Sequence, residues 1–192
     1  SGEASGSAFR SSSNTSFSRE LPGLQLALDS TSLGEFKTCP RKYYYSIILG
    51  YQPRTQSVHL SFGIGLHGGR ERYDHARASG ASHQEALRVA LRWVLTETWN
   101  PELKRGWVSD HPMKNRLTLV RTLVWYLEQY GANDPLQTII LGNSKPAVEL
   151  SFQFDSGFQS ITGEAITFCG HLDRLATLND EPYIADLKTT GS

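Results

Sequence analysis

Apolar and polar positions along this chain follow two different periods, and the change of period divides it. Up to about Gly131 apolar residues recur every three or four positions; beyond Pro135 they recur every second one. Ser32-x-x-Glu35 reads as a capping box, and Leu33, Phe36, Tyr43, Tyr44, Ile47 and Ile48 follow at helical spacing. Pro40 breaks that run and Gly50 stops it, which predicts two short helices over about 31–38 and 40–49. A longer helix opens at Ser61–His67 and reaches about Ala78. Ser82-x-x-Glu85 opens the next, over about 83–98, with Leu87, Ala90, Leu91, Val94 and Leu95 on one stripe. Trp99 to Met113 reads as a Pro- and Gly-containing connection. A last helix is expected over about 114–130, with Leu117, Val120, Leu123, Val124 and Leu127 inward and Gly131 as its C-cap.

The alternating half begins at Ala147–Phe154, a strand with Val148, Leu150, Phe152 and Phe154 on one face and Glu149 on the other. A loop is expected over 157–163. Residues 165–173 and 175–178 read as one strand with a bend. Residues 183–189 read as its partner across Asn179-Asp180-Glu181-Pro182, a turn-forming run. Helices followed by strands predict an α/β chain of the α+β type. Polar groups interrupt this hairpin: Asp173 on its first strand, Asp186 and Lys188 on its second. Positions i and i+2 of a strand share a face, so Asp186 and Lys188 project together. Charge in an apolar setting is costly without a partner or a metal, which makes the hairpin the candidate site. A structural Asp–Lys ion pair at a sheet edge is the plain alternative.

Composition narrows the setting. A chain of 192 residues is long enough for one sizeable core. Its 39% hydrophobic and 20% charged content is that of a soluble globular protein. With 19 basic and 19 acidic residues the net charge is zero, so any nucleic-acid contact must come from a local patch. No apolar run is long enough to cross a membrane, and the N-terminus lacks the layout of a signal peptide. Two cysteines, Cys39 and Cys169, make no disulfide framework, and a cytoplasmic setting is the expectation. The Ser- and Gly-rich start predicts a flexible leader over residues 1–25, with one domain over 26–192.

The candidate chemistry follows from donor types. Two carboxylates can hold Mg2+ or Mn2+, hard cations that prefer oxygen, and such a cation neutralises phosphate charge and activates water. A lysine alongside can orient that water or stabilise developing charge. His67 lies four residues after Gly63 on one helical face; beside the acids it becomes a candidate ligand that biases the site towards Mn2+. Glu149 adds a further acid. Gly63 and Gly65 are expected to admit another backbone closely. Gly63-Ile64-Gly65-Leu66-His67-Gly68 has dinucleotide-loop spacing but no preceding strand, so that reading is set aside. Arg41 and Lys42 beside Tyr43, Tyr44 and Tyr45 read either as a solvated face or as a contact for nucleic-acid backbone and bases. Lys114, Arg116 and Arg121 read as a solvated basic flank.

Five motifs in order, LGEFKTCPRKYYY, GIGLH, VELSF, GHLD and ADLKT, resemble the RecB-type branch of the PD-(D/E)XK nuclease superfamily from about residue 30 onward. The resemblance implies a restriction-endonuclease-like core: a central mixed sheet flanked by helices, preceded by a helical half. It implies a Mg2+- or Mn2+-dependent deoxyribonuclease, usually an exonuclease, acting on single-stranded or duplex DNA ends. Recombination, repair or phage DNA processing is the setting, in a bacterial or phage-infected cell and with possible helicase partners. His67, Asp173 and Asp186 then correspond to metal ligands, and Asp173, Asp186, Lys188 and Glu149 to catalytic residues; Arg41, Lys42 and Tyr44 are the candidate DNA contacts on their own chemistry. Cys39 sits where iron–sulfur members carry a first cluster ligand. The other three are absent, so a [4Fe-4S] cluster is expected only in a longer chain. The family's Gln-x-x-x-Tyr helix after the lysine strand is also missing, and the sheet is expected to need further chain. A non-catalytic DNA-binding or assembly module with the same fold is the alternative, and a folding or interaction domain of a larger complex a third reading.

Overall fold

A computed structural model describes residues 16–188; the expectations for residues 1–15 and for Thr189–Ser192 lie outside the described residues. Among the described residues a mixed sheet is flanked by helices, in the order expected. The chain forms two compact units, one of residues up to Gln52 with Gln153–Gly170, the other of Pro53–Phe152 with His171 onward.

In the first unit, β1 (Ala27–Leu28) pairs in parallel with the start of β6 (Ala165–Leu178), Ala27 opposite Thr167. Phe17 bridges to Gln25, and Ser18 donates its hydroxyl to Glu164. Helix α1 (Ser30–Thr38) is capped by Asp29, whose carboxylate accepts from Ser32 N at 2.7 Å while Ser32 Oγ accepts from Asp29 N. The box therefore starts three residues earlier than Ser32-x-x-Glu35 suggests, and Glu35 pairs instead with Lys42 and Ser46. After Cys39 and Pro40, α2 (Pro40–Tyr43) widens into a π-helical turn over Tyr44–Ile48, with Leu49 N–H bonding to Tyr44 C=O.

The second unit holds the core. Helices α3 (Val58–Ala78), α4 (His83–Glu97) and α5 (Arg116–Tyr130) bury Phe62, Leu66, Tyr73, Ala90, Val94, Leu119, Leu123 and Leu127 against one another. The α4 cap is the one predicted: Ser82 Oγ accepts from Glu85 N, and Glu85 accepts from Ser82 N at 2.8 Å. Close approach on α3 is by side chains. Gly63 faces open space, whereas a Cβ at Gly65 would lie 2.6 Å from Leu119 and one at Gly69 2.7 Å from Leu123. Helix α5 starts at Arg116, with Asn115 accepting from Thr118 N. Leu117 is exposed and Leu119 takes its inward place. Lys114 belongs to no solvated flank: it is buried with its ammonium 5.6 Å from the Phe62 ring.

The expected plain connection after α4 contains a small hairpin, β2 (Trp99–Asn100) with β3 (Arg105–Gly106). In the sheet, β4 (Gln137–Thr138) and β7 (Glu181–Ala185) run antiparallel to β6, and β5 (Val148–Gln159) also pairs with it. Strand β6 is continuous where a bend was expected, and β5 runs on to Gln159. Asn179 and Asp180 both take positive φ, as a tight two-residue hairpin turn requires. Strand β7 ends at Ala185, so Asp186 and Lys188 follow the strand rather than lie in it.

Candidate metal centre

All the acid, lysine and histidine candidates fall in the second unit. Helix α3 buries Leu66 and Arg70, which leaves His67 half-buried at the helix edge. Strand β6 brings Asp173, and Glu149 enters at the start of β5 with φ +48. A non-glycine residue in the left-handed region costs roughly 1–3 kcal/mol and persists where its surroundings hold it. Here the strained residue is the one whose carboxylate turns to His67, at 3.5 Å from Nδ1. Asp173 Oδ2 lies 3.3 Å from the same nitrogen.

The peptide of Leu187 clamps this group. Its carbonyl is 2.8 Å from His67 Nε2 and its N–H donates to Asp173 Oδ2 at 3.1 Å. The Leu187 side chain packs on the α3–α4–α5 core, which seats the segment between Asp186 and Lys188. A carbonyl only accepts, so Nε2 carries a proton, and Nδ1 faces two carboxylates. Donor atoms of His67, Glu149 and Asp173 lie within 4.8 Å of one another. Two carboxylates converging on one ring nitrogen are electrostatically unfavourable until a positive charge joins them. The adjoining cleft of about 70 Å3, lined by these residues with Asp186 and Leu187, has room for an ion and a few waters. One nitrogen and two carboxylate donors suit a divalent cation such as Mn2+ or Mg2+. The donor set therefore fits the group it was expected to hold.

Asp186 stands just outside this trio. Its carboxylate pairs with Lys188 Nζ at 2.6 Å. Lys188 holds the Asp186 carboxyl below its ordinary value. The Asp186 carboxylate in turn pushes the Lys188 ammonium up. Thus the two side chains do project together, and Lys188, 77% exposed, presents a standing positive charge at the cleft.

Behind His67 and Asp173 lies a buried ion network that carried no weight in the sequence reading. Arg70 donates to Asp74 at 3.0 Å and to Asp134 and Tyr126; Arg174 donates to Asp134 at 2.7 Å, to Thr138 and to Leu136 C=O. Burial raises the Asp74 carboxyl, opposed by Arg70. Arg70 is one helical turn beyond His67 and Arg174 adjoins Asp173, so the network ties two of the three elements that carry the donors. The Arg70-x-x-x-Asp74 spacing was its only signal in the sequence. The candidate DNA contacts belong to the first unit: the Arg41 guanidinium lies 5.9 Å from the Tyr45 ring, Lys42 pairs with Glu35 at 2.8 Å, and Tyr44 is half-exposed. Cys39 is exposed and Cys169 half-buried, both free thiols, with burial raising the latter.

The profile of the PD-(D/E)XK nuclease superfamily matches residues 29–192. No curated protein and no solved structure matches the chain. None of the helices described is long and apolar enough to cross a membrane.

Proposed function

The chain belongs to the PD-(D/E)XK nuclease superfamily, and from that premise we propose that it is a Mg2+- or Mn2+-dependent deoxyribonuclease of the RecB-type branch. In this reading it is an exonuclease of DNA recombination, repair or phage DNA processing, working in the cytoplasm. The observation that carries the reading is His67 Nδ1 facing Glu149 at 3.5 Å and Asp173 at 3.3 Å, with Lys188 paired to the neighbouring Asp186. His67, Glu149 and Asp173 would hold the cation, with Asp186 adjoining. When bound, it supplies neutralisation of phosphate charge and polarisation of water.

The chain's own residues do the rest. Lys188 enters as a cation, because Asp186 keeps its ammonium protonated, and so stabilises charge gathering on the phosphoryl oxygens rather than acting as a base. A carboxylate, Asp186 or Glu149, accepts the proton from the attacking water as its oxygen bonds to phosphorus. The bond to the leaving oxygen breaks and that oxygen takes a proton from Lys188 or solvent. The Leu187 peptide keeps the His67 tautomer and the Asp173 rotamer fixed throughout.

A proton on Nδ1 would answer the same charge and make His67 an imidazolium paired with both acids, the arrangement of a non-catalytic DNA-binding module. One assay separates them: labelled single-stranded and duplex DNA with Mg2+, Mn2+ or EDTA, comparing wild type with Asp186→Ala and Lys188→Ala. The proposal expects metal-dependent cleavage lost in both variants. Cleavage that survives both substitutions would sink the site assignment, and DNA binding with no cleavage would favour the module.

A further inference from the structure

Two grooves meet along α3. One, of about 540 Å3, is lined by Leu60, Ile64, His67, Trp93 and Glu149 and so opens on the candidate metal centre. The other, of about 740 Å3, lies against the β2–β3 hairpin and is lined by Ile64, Trp93, Trp99, Leu103 and Trp107. They share Ile64 and Trp93, which makes one trough running from the hairpin to His67. Leu60, Ile64, Trp99, Leu103 and Val108 are each 46% to 64% exposed there, while Trp93 and Trp107 are half-buried.

The indoles in this trough are held rather than loose. A Cβ at Gly68, the residue after His67, would collide with the Trp93 ring, and the Arg72 guanidinium lies 5.7 Å from that ring's centre. Arg116 lies 5.9 Å from the Trp99 ring. It donates to Thr98 Oγ1 at 2.9 Å and to Leu95 C=O, and it rests on Gly106, where a Cβ would be 2.6 Å from its Cδ. Pre-set aromatic faces with guanidinium groups beside them are what an unpaired base can stack on. Bases in a duplex have their faces covered by their neighbours, so a duplex cannot use them.

We infer that this trough binds an unpaired stretch of DNA, with bases stacked on Trp99, and leads that strand to His67 and Glu149. The inference rests on the nuclease reading above and specifies its substrate as single-stranded. Continuity with the candidate metal centre favours a substrate strand over a protein occupant. Glu71, Glu97, Glu102 and Glu149 line the trough along with Arg105, so phosphate charge gains nothing there and stacking carries the binding. A shallow salt dependence follows.

The test is fluorescence anisotropy with a labelled single-stranded oligonucleotide and the matching blunt duplex, titrated with the full chain in EDTA so that nothing is cut. The single strand is expected to bind about tenfold more tightly or better, with quenching of tryptophan emission. Trp99→Ala should weaken it about 5- to 150-fold and Trp99→Phe should retain most of the affinity. The salt slope should correspond to about two phosphates or fewer. Equal affinity for both DNA forms, an unchanged dissociation constant in Trp99→Ala, or self-association that depends on Trp99 would overturn the inference. Calorimetric Mn2+ titration of the same proteins keeps the two readings apart. Mn2+ bound equally by wild type and Trp99→Ala, with no difference in DNA affinity, removes this inference alone; no Mn2+ binding by wild type removes the nuclease reading and this one with it.

Discussion

Removing Asp134 should cost this protein a large part of its stability, and the structure says why. The Asp134 carboxylate accepts from Arg174 Nη1 at 2.7 Å and from Arg70 Nη2 at 3.3 Å, and its other oxygen accepts from Leu136 N at 2.9 Å. Both arginines are 8% exposed, and Asp74, which pairs with Arg70, is 7% exposed. Two guanidiniums and two carboxylates balance. In Asp134→Ala the two guanidiniums share one carboxylate in a poorly hydrated setting. Breaking a buried pair by removing one partner costs about 3–5 kcal/mol, because the remaining charge stays buried. A domain of this size is stable by only about 5–15 kcal/mol. Asp134→Asn keeps the shape and one acceptor and should cost less, about 1.5–3 kcal/mol. Urea unfolding followed by circular dichroism reads both, with an unchanged m-value expected. The network joins α3 to β6, so Mn2+ affinity should fall in the folded Asn variant too. A loss below about 1 kcal/mol for Asp134→Ala would refute the reasoning, because the network would then be dispensable.

Further expectations concern the scaffold. Ser82→Ala removes the α4 cap and should cost about 1 kcal/mol by urea unfolding. Three carboxyls, Glu35, Glu85 and Glu164, are held below the ordinary 4.5, by Lys42 then Ser46, by Ser82, and by Ser18 respectively. Their contribution is present above 4.5 and is lost as pH falls through their folded values. Unfolding free energy should therefore drop below about pH 4.5, and less steeply in Ser18→Ala than in wild type. Gly69→Ala gains about 1 kcal/mol of helix propensity but drives a methyl to 2.7 Å from Leu123 and 2.9 Å from Val94. Overpacking costs about 1–3 kcal/mol, so the net change should be destabilising, by up to about 2 kcal/mol on thermal or urea unfolding.

Much of the fold was legible because it rests on local rules. The α4 stripe and its Ser82–Glu85 box involve residues close in sequence, and Asn179-Asp180 carries its turn preference in two side chains. The order of Glu149, Asp173 and Asp186–Lys188 was readable for the same reason. What escaped depends on distant partners or on backbone. Leu117 and Leu119 are equally apolar, and only the α3–α4 neighbours decide which one turns inward. Lys114 is buried because Phe62 offers it a ring face, which no spacing announces. The β2–β3 hairpin has strands of two residues, too short to show a period. Asp29 outcompeted Ser32 as the α1 cap, and Glu35 was left for Lys42 and Ser46. At the site, the Leu187 peptide and the positive φ of Glu149 are main-chain features, and they define the donor trio more tightly than the side chains alone.

The most direct measurement is an anomalous difference map from a crystal soaked in Mn2+. The account predicts a single strong peak among His67 Nδ1, Glu149 and Asp173, with Lys188 still paired to Asp186, and its loss in Asp173→Asn. No peak there, or one elsewhere with the His67–Glu149–Asp173 group unchanged, would contradict it.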